Sequence, residues 1–278
     1  VTVTFTGALG GLALTLGGVL TAPGSPILDG PATAATLAGA AAASSHLAAG
    51  PPAPAPGNPE YELIATPDDL ADRFSDEKLA LLEMLNRVDL ERMPRMDSLV
   101  VPRSGENDPA SHGPFPDQVP SLREYPRALV VHQPLQVFAA YEEGRRVRWG
   151  PVSSGRREHV TPSGRFFLTW KSRGRHSTVN PEWYLEWYFN FHNERGLSFH
   201  KYALPGEPAS HACVRLLERD AVWIYEWGEG WTLDEQGWEV MEEGTPVWIV
   251  GQYDFDAPPP WLDAADPHPA VPTVDLDL

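Results

Sequence analysis

The sequence predicts a mainly β protein preceded by a small α/β unit, and three observations carry that prediction. From Arg127 to Gly251, short runs of β-branched and aromatic residues alternate with Gly- and Pro-marked turns. Ten Trp accompany 24 Gly and 29 Pro, a balance that favours short strands over long helices. Between Tyr61 and Pro102 the apolar spacing instead becomes helical, with strand-like runs on either side.

The elements follow in order. Residues 1–28 carry no charge, and Gly7 to Leu20 is a run of apolar and small residues, as expected of an export signal or membrane anchor. Residues 29–58 are rich in Ala, Pro and Gly and read as a linker. In the unit spanning 59–103, Pro67-Asp68-Asp69 starts a first helix through Leu70 and Phe74. A second fits Asp76 to Val88 on Leu79, Leu82 and Leu85, and Leu99 to Val101 is a strand ended by Pro102. Residues 103–124 form a polar connector. Within 125–252, strands are expected at Leu129–Val131, Leu135–Tyr141, Val147–Ser153, Phe166–Trp170, Trp183–Phe191 leading into Leu197–His200, and Pro246–Val250. Asp220 is placed to cap a helix over Ala221–Trp227 that stops at Gly228. Residues 253–278, rich in Asp and Pro and lacking Lys or Arg, read as a disordered tail.

Composition narrows function. The formal charge of −17 would repel a phosphate backbone and argues against nucleic acid as a partner. The charge is uneven, however: nine of the 21 basic residues fall between Arg145 and Arg175, where they would suit a substrate carboxylate or simply a solvated strand face.

Cys213 is the only cysteine, so it closes no intrachain disulfide; it is a core filler, a free thiol or a nucleophile. It stands two residues after His211, two before Arg215 and thirteen after His200. Imidazolium or guanidinium charge lowers a thiol's pKa, and the thiolate is the reactive form. His200, His211 and Cys213 also offer three residues of zinc-ligating types, though in an order unlike known zinc motifs. A papain-like enzyme places its Cys before its His, the reverse of the order here.

Several segments together resemble the L,D-transpeptidase (YkuD-like) catalytic domain family. Thr161-Pro162-Ser163-Gly164-Arg165-Phe166 is similar to its Thr-Pro-x-Gly-x-Phe segment. His200, then Ser210-His211-Ala212-Cys213-Val214-Arg215-Leu216, then Asp220-Ala221, follow its signature of a histidine, a loop, Ser-His-Gly-Cys-Val-Arg-Leu and an Asp-Ala helix start. Tyr141–Gly144 and Pro151–Gly155 match as well. The chain departs from the pattern at Lys201-Tyr202, where Gly-Thr is usual, and at Ala212, where Gly is usual and would permit positive φ. Residues 61–102 resemble a LysM glycan-binding module at Leu85-Asn86 and Leu99–Pro102.

The resemblance implies a β-sandwich or barrel catalytic domain with a short helix after the cysteine. It implies a peptidoglycan L,D-transpeptidase with Cys213 as nucleophile and His200 as base, acting on stem peptides, with glycan strands as a further partner, in the periplasm or cell envelope. Ser210, His211, Ala212 and Arg215 would shape the site or its oxyanion hole, and Tyr184, Tyr188, Lys201 and Tyr202 would line the substrate groove. Trp183 and Trp187 belong either to that groove or to the core. No metal or organic cofactor is implied. An L,D-carboxypeptidase using water, or a degenerate cell-wall-binding protein, are the alternatives.

Overall fold

The computed structural model describes residues 61–103, 105 and 107–276; the expected leader and linker lie outside them. The chain is mainly β, and one nine-stranded sheet dominates it.

The first unit runs β1 (Tyr61–Ala65), α1 (Leu70–Arg73), α2 (Asp76–Asn86) and β2 (Ser98–Pro102), with β1 and β2 antiparallel. Asp69 caps α1 and Ser75 caps α2, each side chain accepting a backbone N–H of the first turn. Arg87 ends α2 in the left-handed region at φ 54. Leu70, Leu79, Leu82, Val88, Leu99 and Val101 close a small core between the helices and the β1–β2 pair.

The large sheet is built from β3 (Ala128–His132), β4 (Val137–Glu142), β5 (Arg145–Ser153), β6 (Gly164–Phe167), β7 (Lys171–His176), β8 (Tyr184–His192), β9 (Leu197–Lys201) and β10 (Val214–Leu216). After α3 (Glu218–Trp227) and a small hairpin of β11 (Thr232–Leu233) and β12 (Val240–Glu242), β13 (Pro246–Val250) completes it. The order is β6-β13-β3-β4-β5-β10-β9-β8-β7. Strands from both ends contribute to one core: Leu129, Phe138 and Val247 from one half, Phe189, Phe199 and Val214 from the other, with Ala221 and Ile224 of α3. The sheet therefore curls around these side chains rather than lying flat.

The opposite face of β3, β4 and β13 is also buried. Val130, Ala139 and Trp248 pack beneath Leu81 and Leu85 of α2 and beneath Val271 and Leu276. Burial on both faces explains why β3 and β4 read as continuous apolar runs instead of alternating.

Three expectations change. Residues 253–276 are not a disordered tail but a folded strap: Trp261 is fully buried, and His268 Nε2 donates to the His112 carbonyl at 2.7 Å. A few well-spaced apolar residues anchor a segment whose average composition is polar. Asp220 does not cap α3. It sits in the first turn, 1% exposed, paired with Arg148 at 2.7 Å, while Leu217 takes the cap position without a side-chain bond. Strand β7, too polar to show an apolar alternation, has no counterpart among the expected strands.

Candidate active site

Strands β9 and β10 lie parallel, with Phe199 beside Val214, His200 beside Arg215 and Lys201 beside Leu216. Side chains alternate across a sheet. Phe199, Val214 and Leu216 enter the core, so Ser198, His200, Cys213 and Arg215 take the other face. Ser198 Oγ donates to Cys213 Sγ at 3.6 Å. His200 and Cys213 line the same cavity, of about 340 Å³.

His200 is buried, and its Nδ1 lies 3.0 Å from the Lys201 carbonyl. A carbonyl only accepts, so Nδ1 carries the hydrogen and Nε2 keeps its lone pair for the cavity. Burial pushes the imidazole down to about 4, against the pull of that hydrogen bond, and the Arg215 charge lowers it further. Burial pushes the Cys213 thiol up, partly offset by Ser198 and Arg215. Both directions leave the proton on sulfur. At rest the pair is a neutral thiol and a neutral imidazole, rather than the pre-formed thiolate that the basic flanking residues suggested.

The cysteine turn is held from several sides. Ser210 Oγ donates to the Cys213 carbonyl. The Ser210 N–H donates to Ser154 O at 3.0 Å, and the Arg156 N–H donates to Ser210 O at 3.0 Å. Thr161 Oγ1 donates to Ala212 O at 3.0 Å while accepting the Gly155 N–H at 2.8 Å. Gly155 is needed for that approach, since a Cβ there would lie 2.0 Å from His159 O. These bonds hold Ala212 at φ 77, a conformation that ordinarily calls for glycine.

The remaining expected site residues divide. His211 lines the cavity, stacked on His159 at 3.3 Å between centroids, and its buried Nδ1 has no hydrogen-bond partner among the described residues. Burial, His159 and nearby arginines lower its pKa. Arg215 lines the cavity too, but its guanidinium donates to Ala203 O at 3.3 Å and lies over the Tyr202 ring at 4.6 Å. Tyr188, Tyr202 and Trp183 face the cavity; Trp187 packs against the core.

Tyr184 and Lys201 do not line it. Lys201 follows His200 and so points to the other face, where it pairs with Glu186 at 2.8 Å and Glu218 at 3.2 Å. Tyr184 and Tyr188 share parity along β8, but a bulge separates them. Glu186 pairs with Lys201 and Phe189 with Phe199, leaving Trp187 and Tyr188 opposite His200 alone. Trp187 takes φ 55, the alternation reverses, and Leu185 and Tyr188 face the cavity while Tyr184 faces out.

Sequence reading singled out neither Ser198 nor Trp170 nor the turn Asn193–Gly196, and reached Arg175 only as the end of the basic stretch. Ser198 was accessible to it, two residues before His200 on one strand. Arg175 lies on β7, Trp170 just before it, and the rest on a turn, none of which carries a motif. Among the described residues, no three His, Cys, Asp or Glu side chains gather as a metal ion would require, His200, His211 and Cys213 included.

No curated protein matches the chain. Among solved structures, an L,D-transpeptidase from Stackebrandtia nassauensis is 23% identical over 47% of this chain and 58% of its own, at a TM-score of 0.38. One from Mycobacterium tuberculosis is 24% identical over 45% and 58%, at 0.36. One from Mycobacterium smegmatis is 18% identical over 45% and 59%, also at 0.36. The chain thus spans less than two thirds of these relatives. Residues 126–249, which contain the whole cavity face of β9 and β10, match the family model of the L,D-transpeptidase (YkuD) catalytic domain.

Proposed function

We propose that the chain is a peptidoglycan L,D-transpeptidase with Cys213 as nucleophile and His200 as general base. The observation that supports this most is the pairing across β9 and β10. It puts the lone thiol and an imidazole with a free Nε2 on one cavity wall, in a segment of the matching family.

In the first half-reaction, Nε2 of His200 takes the thiol proton as Sγ attacks the carbonyl carbon linking residue 3 of a stem peptide to D-Ala. Backbone amides of the turn at Ala212 and Cys213 hold the oxyanion. The intermediate collapses with cleavage of the C–N bond. The proton passes from His200 to the departing D-Ala amine, leaving a thioester. In the second half, an acceptor amine attacks the thioester carbonyl, His200 takes a proton from that amine, and the C–S bond breaks. The proton returns to sulfur. A low resting thiolate population suits this sequence, because the sulfur is deprotonated only as it attacks.

The acceptor is a second stem peptide or a protein lysine, and the enzyme works outside the cytoplasm, in the periplasm or cell envelope. No helix among the described residues is long and apolar enough to cross a membrane.

The test is incubation with disaccharide-tetrapeptide and mass spectrometry of the products, beside exposure to a carbapenem. Cross-linked dimer, and a carbapenem adduct that vanishes in Cys213→Ala, are the expected results. Tripeptide with free D-Ala and no dimer would make water the acceptor. Unchanged substrate with no adduct would leave a degenerate wall-binding protein.

A further inference from the structure

The cavity inverts the charge of the molecule around it. The chain has 38 acidic and 21 basic residues, yet the cavity is lined by Arg175, Arg195 and Arg215 against Glu194 alone. Arg215 is engaged with Ala203 O and the Tyr202 ring. The other two are free. Among the described residues, neither Arg175 nor Arg195 forms an ion pair, and the sole side-chain hydrogen bond of Arg175 runs from Nε to the His176 carbonyl at 3.4 Å. Yet Arg175 is not loose. Its guanidinium lies 5.0 Å over the Trp170 ring and 5.1 Å over Tyr188, which stack on each other at 5.0 Å. This wall fixes the guanidinium plane and leaves its terminal nitrogens without a partner, a geometry suited to bidentate binding of a carboxylate.

We infer that Arg175, assisted by Arg195 at the rim, receives a free carboxylate flanking the scissile bond of the donor peptide, so that the site discriminates against amidated stems. The inference rests on the reading of Cys213 as the acylated nucleophile. Arg175, Tyr188 and Cys213 line the same cavity, so a peptide whose carbonyl meets Cys213 there passes the guanidinium stacked on Tyr188. A stem tetrapeptide offers three such carboxylates: the α-carboxylate of residue 2, the side-chain carboxylate of residue 3 where a diamino acid supplies one, and the terminal carboxylate of D-Ala. An amide at the recognised position would leave the arginine without its charge-matched partner.

The experiment compares the free-acid tetrapeptide with three versions amidated singly at those positions. kcat/KM is measured for the wild type, Arg175→Gln and Arg195→Gln, and binding to Cys213→Ser is followed by calorimetry. Wild type should prefer the free acid over one amidated version by about tenfold, and Arg175→Gln should erase that preference without lowering the melting temperature. Arg195→Gln, at an exposed turn, should reduce it less. Raising ionic strength should depress the free-acid rate selectively. Equal use of all four peptides by the wild type, or an equal loss on all four in Arg175→Gln, overturns the inference while leaving the transpeptidase reading intact. If no peptide is turned over, that reading fails; a free-acid preference in binding to Cys213→Ser would still support the arginine site, and its absence would end both.

Discussion

Ala212 concentrates the cost of the active-site turn in one residue. A non-Gly residue in the left-handed region is disfavoured by about 1–2 kcal/mol, and glycine recovers only part of this because it loses more chain entropy on folding. With φ at 77, Ala212→Gly is expected to stabilise the protein by about 0.5–1 kcal/mol in urea denaturation. The rate of carbapenem acylation should be maintained, because the bonds from Thr161 and Ser210 still fix the turn. A loss of stability would mean that the methyl group, which packs in the core beside Val214, outweighs the backbone strain. The sequence exposed this choice, since alanine stands where the motif it resembles has glycine. Whether the position took a glycine-like φ depended on the hydrogen bonds around the turn, which no local pattern encodes.

Between His200 and Cys213 runs a loop that the α/β unit holds in place. The Asp89 N–H donates to Leu204 O at 3.0 Å, and Asp89 Oδ2 accepts the Leu204 N–H at 2.8 Å. Val88 bridges Pro205 beside them, and Arg215 reaches the same loop through Ala203 O. Asp89→Ala leaves the part-buried Leu204 N–H unpaired and also removes the carboxylate's contacts with the Arg92 N–H and guanidinium. The expected cost is about 1–2 kcal/mol in denaturant unfolding, with slower acylation of Cys213. Unchanged acylation would show that the loop is fixed without the carboxylate. This docking explains what the sequence did and did not reveal. The strands of the core were legible because apolar residues mark them, and α2 because Leu79, Leu82 and Leu85 recur at helical spacing. Strand β7 was not, because Lys171, Arg173 and Arg175 interrupt any apolar run. Tyr184 and Lys201 were misplaced for a related reason. Facing depends on strand parity and on the bulge at Trp187, which is visible only once β8 is paired with β9.

Across the whole molecule, several histidines are buried neutral and tie stability to pH. His200 stands on the cavity wall with its pKa pushed down to about 4. His268 anchors the C-terminal strap where it meets the buried Arg87, and burial with that nearby positive charge pushes it down to about 3. His211 shifts in the same direction. In the unfolded chain each titrates near 6.5. Above that value both states are neutral and these groups give no slope. Below it the unfolded chain takes up protons that the folded one refuses, so stability must fall as pH drops. Each fully buried histidine contributes up to about 1.4 kcal/mol per pH unit in this window, before most carboxylates begin to protonate. Urea unfolding at pH 7 and pH 5 should therefore show a clear loss of stability at the lower value. His268→Gln, which keeps a donor toward the His112 carbonyl but cannot titrate, should shrink the loss by roughly the share of one group. Equal stability at the two pH values would contradict the burial of these imidazoles. An unaltered slope in the variant would remove the strap from the acid-sensitive part of the fold and leave the cavity histidines to account for it.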